Sequence, residues 1–228
     1  MGQAGTAAQV AKYDKSDRAT SPLTLLRQMG VATSVVEYRR KDVIFTQGSR
    51  AESVLLVQSG IVKVTMVSGQ GKEAIVDVLS RGSFLGEDCL AGRDTRAYSA
   101  EALVKTSAIS MPKHRMLTAI RKSPDLAEAL VDHLARSRLR TEEDLAYQLL
   151  SSSEARLARA LIRIAQAAET DPGSGIILPP VSQETLARMV GTTRSRISFF
   201  LNKFRRQGLI EYGRGLRITR ALLAIVRD

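Results

Sequence analysis

The sequence has few of the residues that build metal centres and covalent cross-links. Its 228 residues include one cysteine, Cys89, and two histidines, His114 and His133. A single thiol excludes an intrachain disulfide framework and any four-cysteine iron–sulfur or zinc site within one chain. It fits a reducing cytoplasm. No apolar run approaches the ~20 residues a membrane helix needs, and the N-terminus lacks the apolar core of a signal peptide. Met1-Gly2 followed by Thr6 matches the myristoylation pattern, which is too loose to stand alone. Acidic residues are outnumbered by basic ones, 23 to 34, for a net charge of +11. That balance argues against an acid-rich disordered tail and points to a polyanionic partner. With 44% hydrophobic residues the chain can bury a core, and its length allows one large domain or two small ones.

The charge that is present is unevenly placed. Residues 181–220 hold nine basic and two acidic side chains, so this short stretch carries most of the excess. A solvated basic face is the plain alternative. Here the run coincides with a motif, described below, which favours a ligand.

Residues 1–22 are small and polar and are read as a disordered arm. Ser21-Pro22 reads as a helix start leading into Leu23, Leu25 and Leu26. From Val35 short strands with turn breaks take over. Val35–Tyr38, Val43–Phe45 and Val54–Val57 are β-rich, punctuated by Gln47-Gly48 and Ser59-Gly60. Residues 61–67 alternate, which predicts Val62, Val64 and Met66 on one face and Lys63 and Thr65 on the other. Ser68-Gly69-Gln70-Gly71 then turns the chain into Ala74–Leu79. Many short strands spaced by glycine turns suggest a β-roll or jelly roll.

At Pro124 the pattern becomes helical. Ser123 is the expected cap and Pro124 suits the first helical position. Leu126, Leu130, Leu134, Thr141, Leu145 and Leu149 recur through Leu150, a rod of roughly 40 Å. Such a helix is read as a dimer seam, with packing along its own β domain as the alternative. A second helix is expected over 154–169, a loop over 171–175 and a short strand over 176–178.

Residues 183–202 fit the mechanics of a helix-turn-helix. Ser182 caps the first helix, Ala187 permits close approach, and Gly191 supplies the positive φ of the tight turn. Leu186, Val190, Ile197 and Phe200 form the wedge between the helices. Ile210–Tyr212 and Leu216–Ile218, joined by Gly213-Arg214-Gly215, read as a hairpin wing. With Ile197, Phe200, Leu201 and Phe204 turned inward, Thr193, Arg194, Ser195, Ser198, Phe199 and Asn202 face outward as base-reading candidates for a major groove. Arg194 can donate two bonds to guanine. Phe199 could touch a thymine methyl or belong to the core. Ser182, Thr192, Arg196, Lys203, Arg206 and Arg214 are phosphate candidates, which position without specifying.

In combination these segments resemble the cyclic-AMP receptor protein/fumarate–nitrate regulator (CRP/FNR) family of bacterial transcription regulators. The resemblance runs from about residue 25 to the end. Its most specific stretches are Ser59–Val64, Gly71–Ala74, Phe84-Leu85-Gly86-Glu87, Arg156-Leu157-Ala158-Arg159 and the motif at 182–218. It implies an α+β fold with an effector-binding-like β-roll at 23–123, a dimerisation helix at 124–150 and a winged helix-turn-helix at 151–228. Family members that bind cyclic AMP hold the ribose with a Gly-Glu pair and the phosphate with Arg-Ser or Arg-Thr. Gly86, Glu87 and Arg96 match, but the next residue is Ala97. Thr141 matches a base-contacting threonine, whereas Glu142 and Ser137 replace an expected serine and arginine. A carboxylate gained and an arginine lost make an anionic ligand harder to hold, which argues against cyclic AMP. An unidentified small effector in that cavity and a purely structural Glu87–Arg96 pair both remain open. Oxidation of Cys89 is a further alternative to an inert buried thiol. In the reader, Ser195 and Phe199 stand where relatives with the common half-sites carry Glu and Arg, so a different operator is expected.

The expected function is that of a homodimeric, cytoplasmic regulator on a near-palindromic duplex, with RNA polymerase as a further partner if it activates. Metal-dependent β-roll enzymes need clustered histidines, and neither histidine falls on a β-roll strand. A non-specific nucleic-acid packing protein shares the charge but has no use for a wing.

Overall fold

The structure, a computed structural model, describes residues 22–28, 34–168, 176–213 and 215–225. Residues 1–21 of the expected arm, the Met1-Gly2 pattern, the loop at 171–175 and Arg214 lie outside the described residues.

Helix α1 (Pro22–Gln28) leads into strands β1 (Ser34–Tyr38), β2 (Val43–Phe45), β3 (Ser53–Ser59), β4 (Val62–Val67), β5 (Glu73–Leu79), β6 (Phe84–Leu85), β7 (Ser99–Ala102) and β8 (Thr106–Pro112). These form two antiparallel sheets, ordered β1-β8-β3-β6 and β2-β7-β4-β5. Strands bury alternate residues. Leu55, Val57, Leu85 and Ala108 of one sheet therefore meet Val62, Val64, Leu79 and Ala100 of the other. Each fully buried aliphatic chain contributes about 1.5–3 kcal/mol, so this double layer is the centre of the β-roll. Gly60 is required at its turn: φ is 94°, and a Cβ there would collide with Thr106 and the Lys105 carbonyl.

The predicted alternation in β4 fails after Val64. The pairing with β5 shifts there, with Val76 of β5 left over between the partners of Val64 and Thr65, while the pairing of β4 with β7 runs on unbroken. Thr65 is buried, while Met66 is 44% exposed.

Helix α2 (Lys113–Lys122) precedes α3 (Pro124–Leu150). The Leu126 N–H donates to Ser123 Oγ at 3.2 Å, with Pro124 in the first turn. Leu126 and Leu130 pack against α1, β3 and α2 in a second core. Beyond them His133 still stands edge-on to Phe84 of β6, 5.1 Å between ring centres. Val131, Leu134, Leu145 and Leu149 are exposed, Leu149 by 75%. The reading of packing along its own β domain thus holds for the first half of the helix, and the second half carries exposed apolar side chains.

Helices α4 (Ser153–Ala167), α5 (Gln183–Val190) and α6 (Arg194–Arg206) follow, with α7 (Arg220–Ile225) at the end. Strands β9 (Ile176–Ile177), β10 (Ile210–Tyr212) and β11 (Leu216–Ile218) make a small sheet ordered β10-β11-β9. Its core joins Leu157, Leu161 and Ile164 of α4 to Leu186, Val190, Ile197 and Phe204. The architecture is α+β: a β-roll, a long helix and a winged helix-turn-helix.

Candidate nucleic-acid interface and effector cassette

The helix-turn-helix is built by local chemistry. The Thr185 N–H donates to Ser182 Oγ at 3.0 Å and starts α5. Gly191 ends α5 with φ 69°, a conformation that a side chain disfavours. The Arg196 N–H donates to Thr193 Oγ1 at 3.3 Å and starts α6. The α6 residues Ile197, Phe200, Leu201 and Phe204 are buried, and this locks the helix about its axis. Thr193, Arg194, Ser195 and Asn202 are exposed, Ser198 is half-buried, and Phe199 is 59% exposed. Phe199 stands edge-on to Phe200, 5.7 Å between ring centres, so it is not a core residue. Among the described residues Arg194 has no ion-pair partner.

The phosphate candidates divide. Arg196 and Arg206 are exposed, Thr192 is half-buried, and Ser182 already uses its hydroxyl as a helix cap, as does Thr193 among the base-reading candidates. Lys203 Nζ lies 2.8 Å from Glu154 Oε2. That partner neutralises Lys203. Among the described residues Arg194, Arg196 and Arg206 are then the candidate cations of this face without a carboxylate partner.

In the β-roll, Gly86, Glu87, Arg96 and Ala97 come together as expected, but with unexpected partners. Arg96 does not pair with Glu87. Its Nη1 donates to the Gly86 carbonyl at 2.8 Å and lies 3.4 Å from Asp88 Oδ1, while Nη2 donates to the Ser53 carbonyl at 2.7 Å. The guanidinium also lies 4.3 Å from the centre of the Phe45 ring. Gly86 has φ 76°, and a Cβ there would collide with Arg96. The Tyr98 hydroxyl accepts from the Gly86 N–H at 2.8 Å and donates to Glu87 Oε2 at 3.3 Å. Burial pushes the Tyr98 phenol well above its usual range, and Glu87 beside it adds to the shift. Thr141 and Glu142 make no hydrogen bond with this cassette among the described residues. Thr141 Oγ1 donates to the Ser137 carbonyl, and Glu142 pairs with Arg138. Cys89 is buried, and burial raises its thiol pKa. This weighs towards an inert thiol.

Burial also raises the Glu87 carboxyl above its ordinary value, helped by the nearby charges of Asp88 and Asp77. The folded chain therefore holds that proton more tightly than the unfolded chain. Its stabilising contribution is complete below the ordinary carboxylate range and is lost as pH rises through the raised value. Glu87→Gln keeps an acceptor for Tyr98 without the charge. Its melting temperature should exceed the wild type's at pH 7 by on the order of 1–3 °C, and the two should converge near pH 4. Equal melting at both pH values would contradict this.

Sequence reasoning missed a third feature, the junction between the β-roll and the DNA reader. Arg163 pairs with both Asp77 of β5 and Asp144 of α3. Arg159 lies 3.1 Å from Asp144, and Arg188 of α5 lies 2.5 Å from Glu73. Ile61, Ile75, Val78 and Leu103 pack there against Ala167 and Met189. A hollow of 390 Å³ opens between β5, α3, α4 and α5, lined in part by Thr141, Tyr147 and Arg156. The spacing of Arg156, Arg159 and Arg163 along one side of α4 was the available signal, but the acidic partners of Arg159 and Arg163 lie on other elements, and Arg156 bonds the Gln148 carbonyl instead.

Comparison with known proteins agrees with this architecture. Residues 35–123 match the cyclic nucleotide-binding domain family, and residues 155–222 match the Crp-like helix-turn-helix domain family. The chain is 32% identical over 180 residues to the cyclic AMP receptor protein of Thermus thermophilus, covering 78% of this chain and 80% of that one. It is 30% identical over 199 residues to the global nitrogen regulator of Synechococcus elongatus, covering 83% and 88%. The crystal structure of a CRP-family transcriptional regulator, also from Thermus thermophilus, matches with a TM-score of 0.72 and 25% identity, covering 85% of this chain and 97% of that one.

Proposed function

The chain belongs to the CRP/FNR family of DNA-binding transcription regulators, and from that premise we propose that it acts as a homodimer on a near-palindromic duplex. The observation that carries this reading is α6. Its apolar side is held in the core, and its outer side offers Arg194, Ser195, Phe199 and Asn202 to solvent. A helix held this way presents fixed side chains to a major groove. Arg194, Ser195, Ser198, Phe199 and Asn202 read bases, and Arg196 and Arg206 with Arg214 of the wing grip phosphates. The exposed apolar stripe of α3 is the seam with the second copy. Two such helices, spaced one turn of B-DNA or roughly 34 Å apart, match a two-fold operator.

The proposed site of action is the cytoplasm, where the duplex lies. Among the described residues no helix is long and apolar enough to cross a membrane. RNA polymerase is the further partner where the output is activation. The name of the Thermus relative speaks of cyclic AMP, but Ala97 and Glu142 make it a poor effector for this chain. Between a small-molecule input and an effector-independent regulator, the hydrogen bonds already made inside the cassette favour the second.

In-vitro selection of binding sites followed by salt-titrated binding tests the reading. The selected duplex should bind ~10³-fold or more tightly than random duplex, and the ratio should persist as salt rises. Equal binding to both duplexes at every salt concentration would reduce the chain to a non-specific nucleic-acid binder.

A further inference from the structure

We propose that the Asp88 carboxylate is a built-in counter-anion that fills the anion subsite of the β-roll, so that the wild-type chain takes no cyclic nucleotide there. The inference rests on the family reading above and deepens its regulatory side. Three donors converge on this one carboxylate. The Ala97 N–H donates to Asp88 Oδ2 at 2.8 Å, the Cys89 N–H donates to Oδ1 at 3.1 Å, and Arg96 Nη1 stands 3.4 Å from Oδ1. A guanidinium flanked by main-chain N–H groups is the chemistry that holds a phosphate oxygen. Here the oxygens come from the chain itself.

The burial of Arg96 makes the assignment more than a surface ion pair. The residue is 4% exposed, and a charge so far from water requires a partner. Its remaining amino hydrogens go to the carbonyls of Gly86 and Ser53, and the ring of Phe45 covers it. A phosphate in this subsite would bring a second anion against Asp88 in a low-dielectric pocket, where like charges repel strongly. It would also find no side-chain hydroxyl at Ala97. Glu87, the group placed to hold a sugar, is closed by Tyr98. The Ala97 N–H and both amino groups of Arg96 are therefore already used, with Arg96 Nε the one buried donor of that guanidinium left without a partner among the described residues, and DNA binding does not wait on such a ligand.

Removing the carboxylate should create the vacancy. Asp88→Ala, in the full chain, is compared with wild type by thermal melting in formate, inorganic phosphate or chloride at equal ionic strength. Formate and phosphate should raise the melting temperature of the variant saturably, by about 3 °C or more at high concentration, and leave the wild type unmoved. Titration calorimetry with cyclic AMP and cyclic GMP should show no binding to wild type and measurable binding to the variant. If Asp88→Ala does not fold, Asp88→Ser carries the same measurements, since it too removes the charge. Saturable binding of cyclic AMP to wild type, abolished by Arg96→Gln, would overturn the proposal. So would a folded variant with no anion-specific stabilisation. The duplex assay fails or succeeds independently of these readouts. Specific DNA binding without anion rescue sinks only the Asp88 assignment, and anion rescue without specific DNA binding sinks only the proposed function.

Discussion

The double substitution Leu145→Glu with Leu149→Glu should turn the protein into a monomer and cost two to four orders of magnitude in affinity for a two-fold operator. Among the described residues both side chains are largely exposed on α3, Leu145 at the rim of the hollow beside β5 and Leu149 beyond it. Val131, Leu134, Arg138, Thr141 and Leu145 follow at alternating spacings of three and four, the pattern of a helix pair. An isologous seam repeats every contact about the two-fold axis, so two substitutions place four carboxylates in it. Each leucine buried in such a seam is worth about 1.5–3 kcal/mol. The stripe is not uniformly apolar, since Arg138 and Thr141 interrupt it. Polar positions of this kind fix register at some cost in strength, so the seam has little margin against added charge. Two linked readers gain from effective concentration by roughly 10²–10⁴, and a monomer forfeits that gain while keeping its fold. Sedimentation at monomer mass, an unchanged melting curve below the dimer transition and weak half-site binding are the expected results. A variant that sediments and binds as wild type would place the seam elsewhere.

Arg194→Ala should lower affinity for the selected operator by about 5- to 150-fold while changing binding to random duplex much less. The range corresponds to the ~1–3 kcal/mol that one bidentate arginine–guanine contact discriminates. Arg194 opens α6, the end of a recognition helix that meets base edges, and it has no internal partner among the described residues to lose. The substitution should therefore leave the fold intact, because the buried face of α6 begins at Ile197. Lys203→Ala is the control. Its ammonium already faces Glu154, so its loss should weaken all sequences slightly and alike. If Arg194→Ala weakens operator and random duplex equally, Arg194 grips phosphate and the bases are read by its neighbours.

The two largest expected effects thus fall on residues whose proposed roles come from the sequence pattern. Thr193 also faces outward as anticipated, but its hydroxyl caps α6. Asp88 was not anticipated. It follows Glu87 in sequence and carries no periodic signal, and its importance comes from Ala97 and Arg96 folding back onto it.

By itself, the sequence determined the helix starts at Ser123 and Ser182, the turn at Gly191, the inward side of α6 and the order of β-roll, rod and reader. These depend on neighbours within a turn or a strand, where capping, glycine geometry and the 3.6-residue period act directly. Only the tertiary structure decided that Thr65 of β4 is buried and Met66 exposed, that Arg96 answers to Asp88 rather than Glu87, and that Arg163 ties Asp77 to Asp144. Each of these joins residues from separate elements, and which donor meets which acceptor is settled by the closure of the two sheets and the docking of α4 on β5.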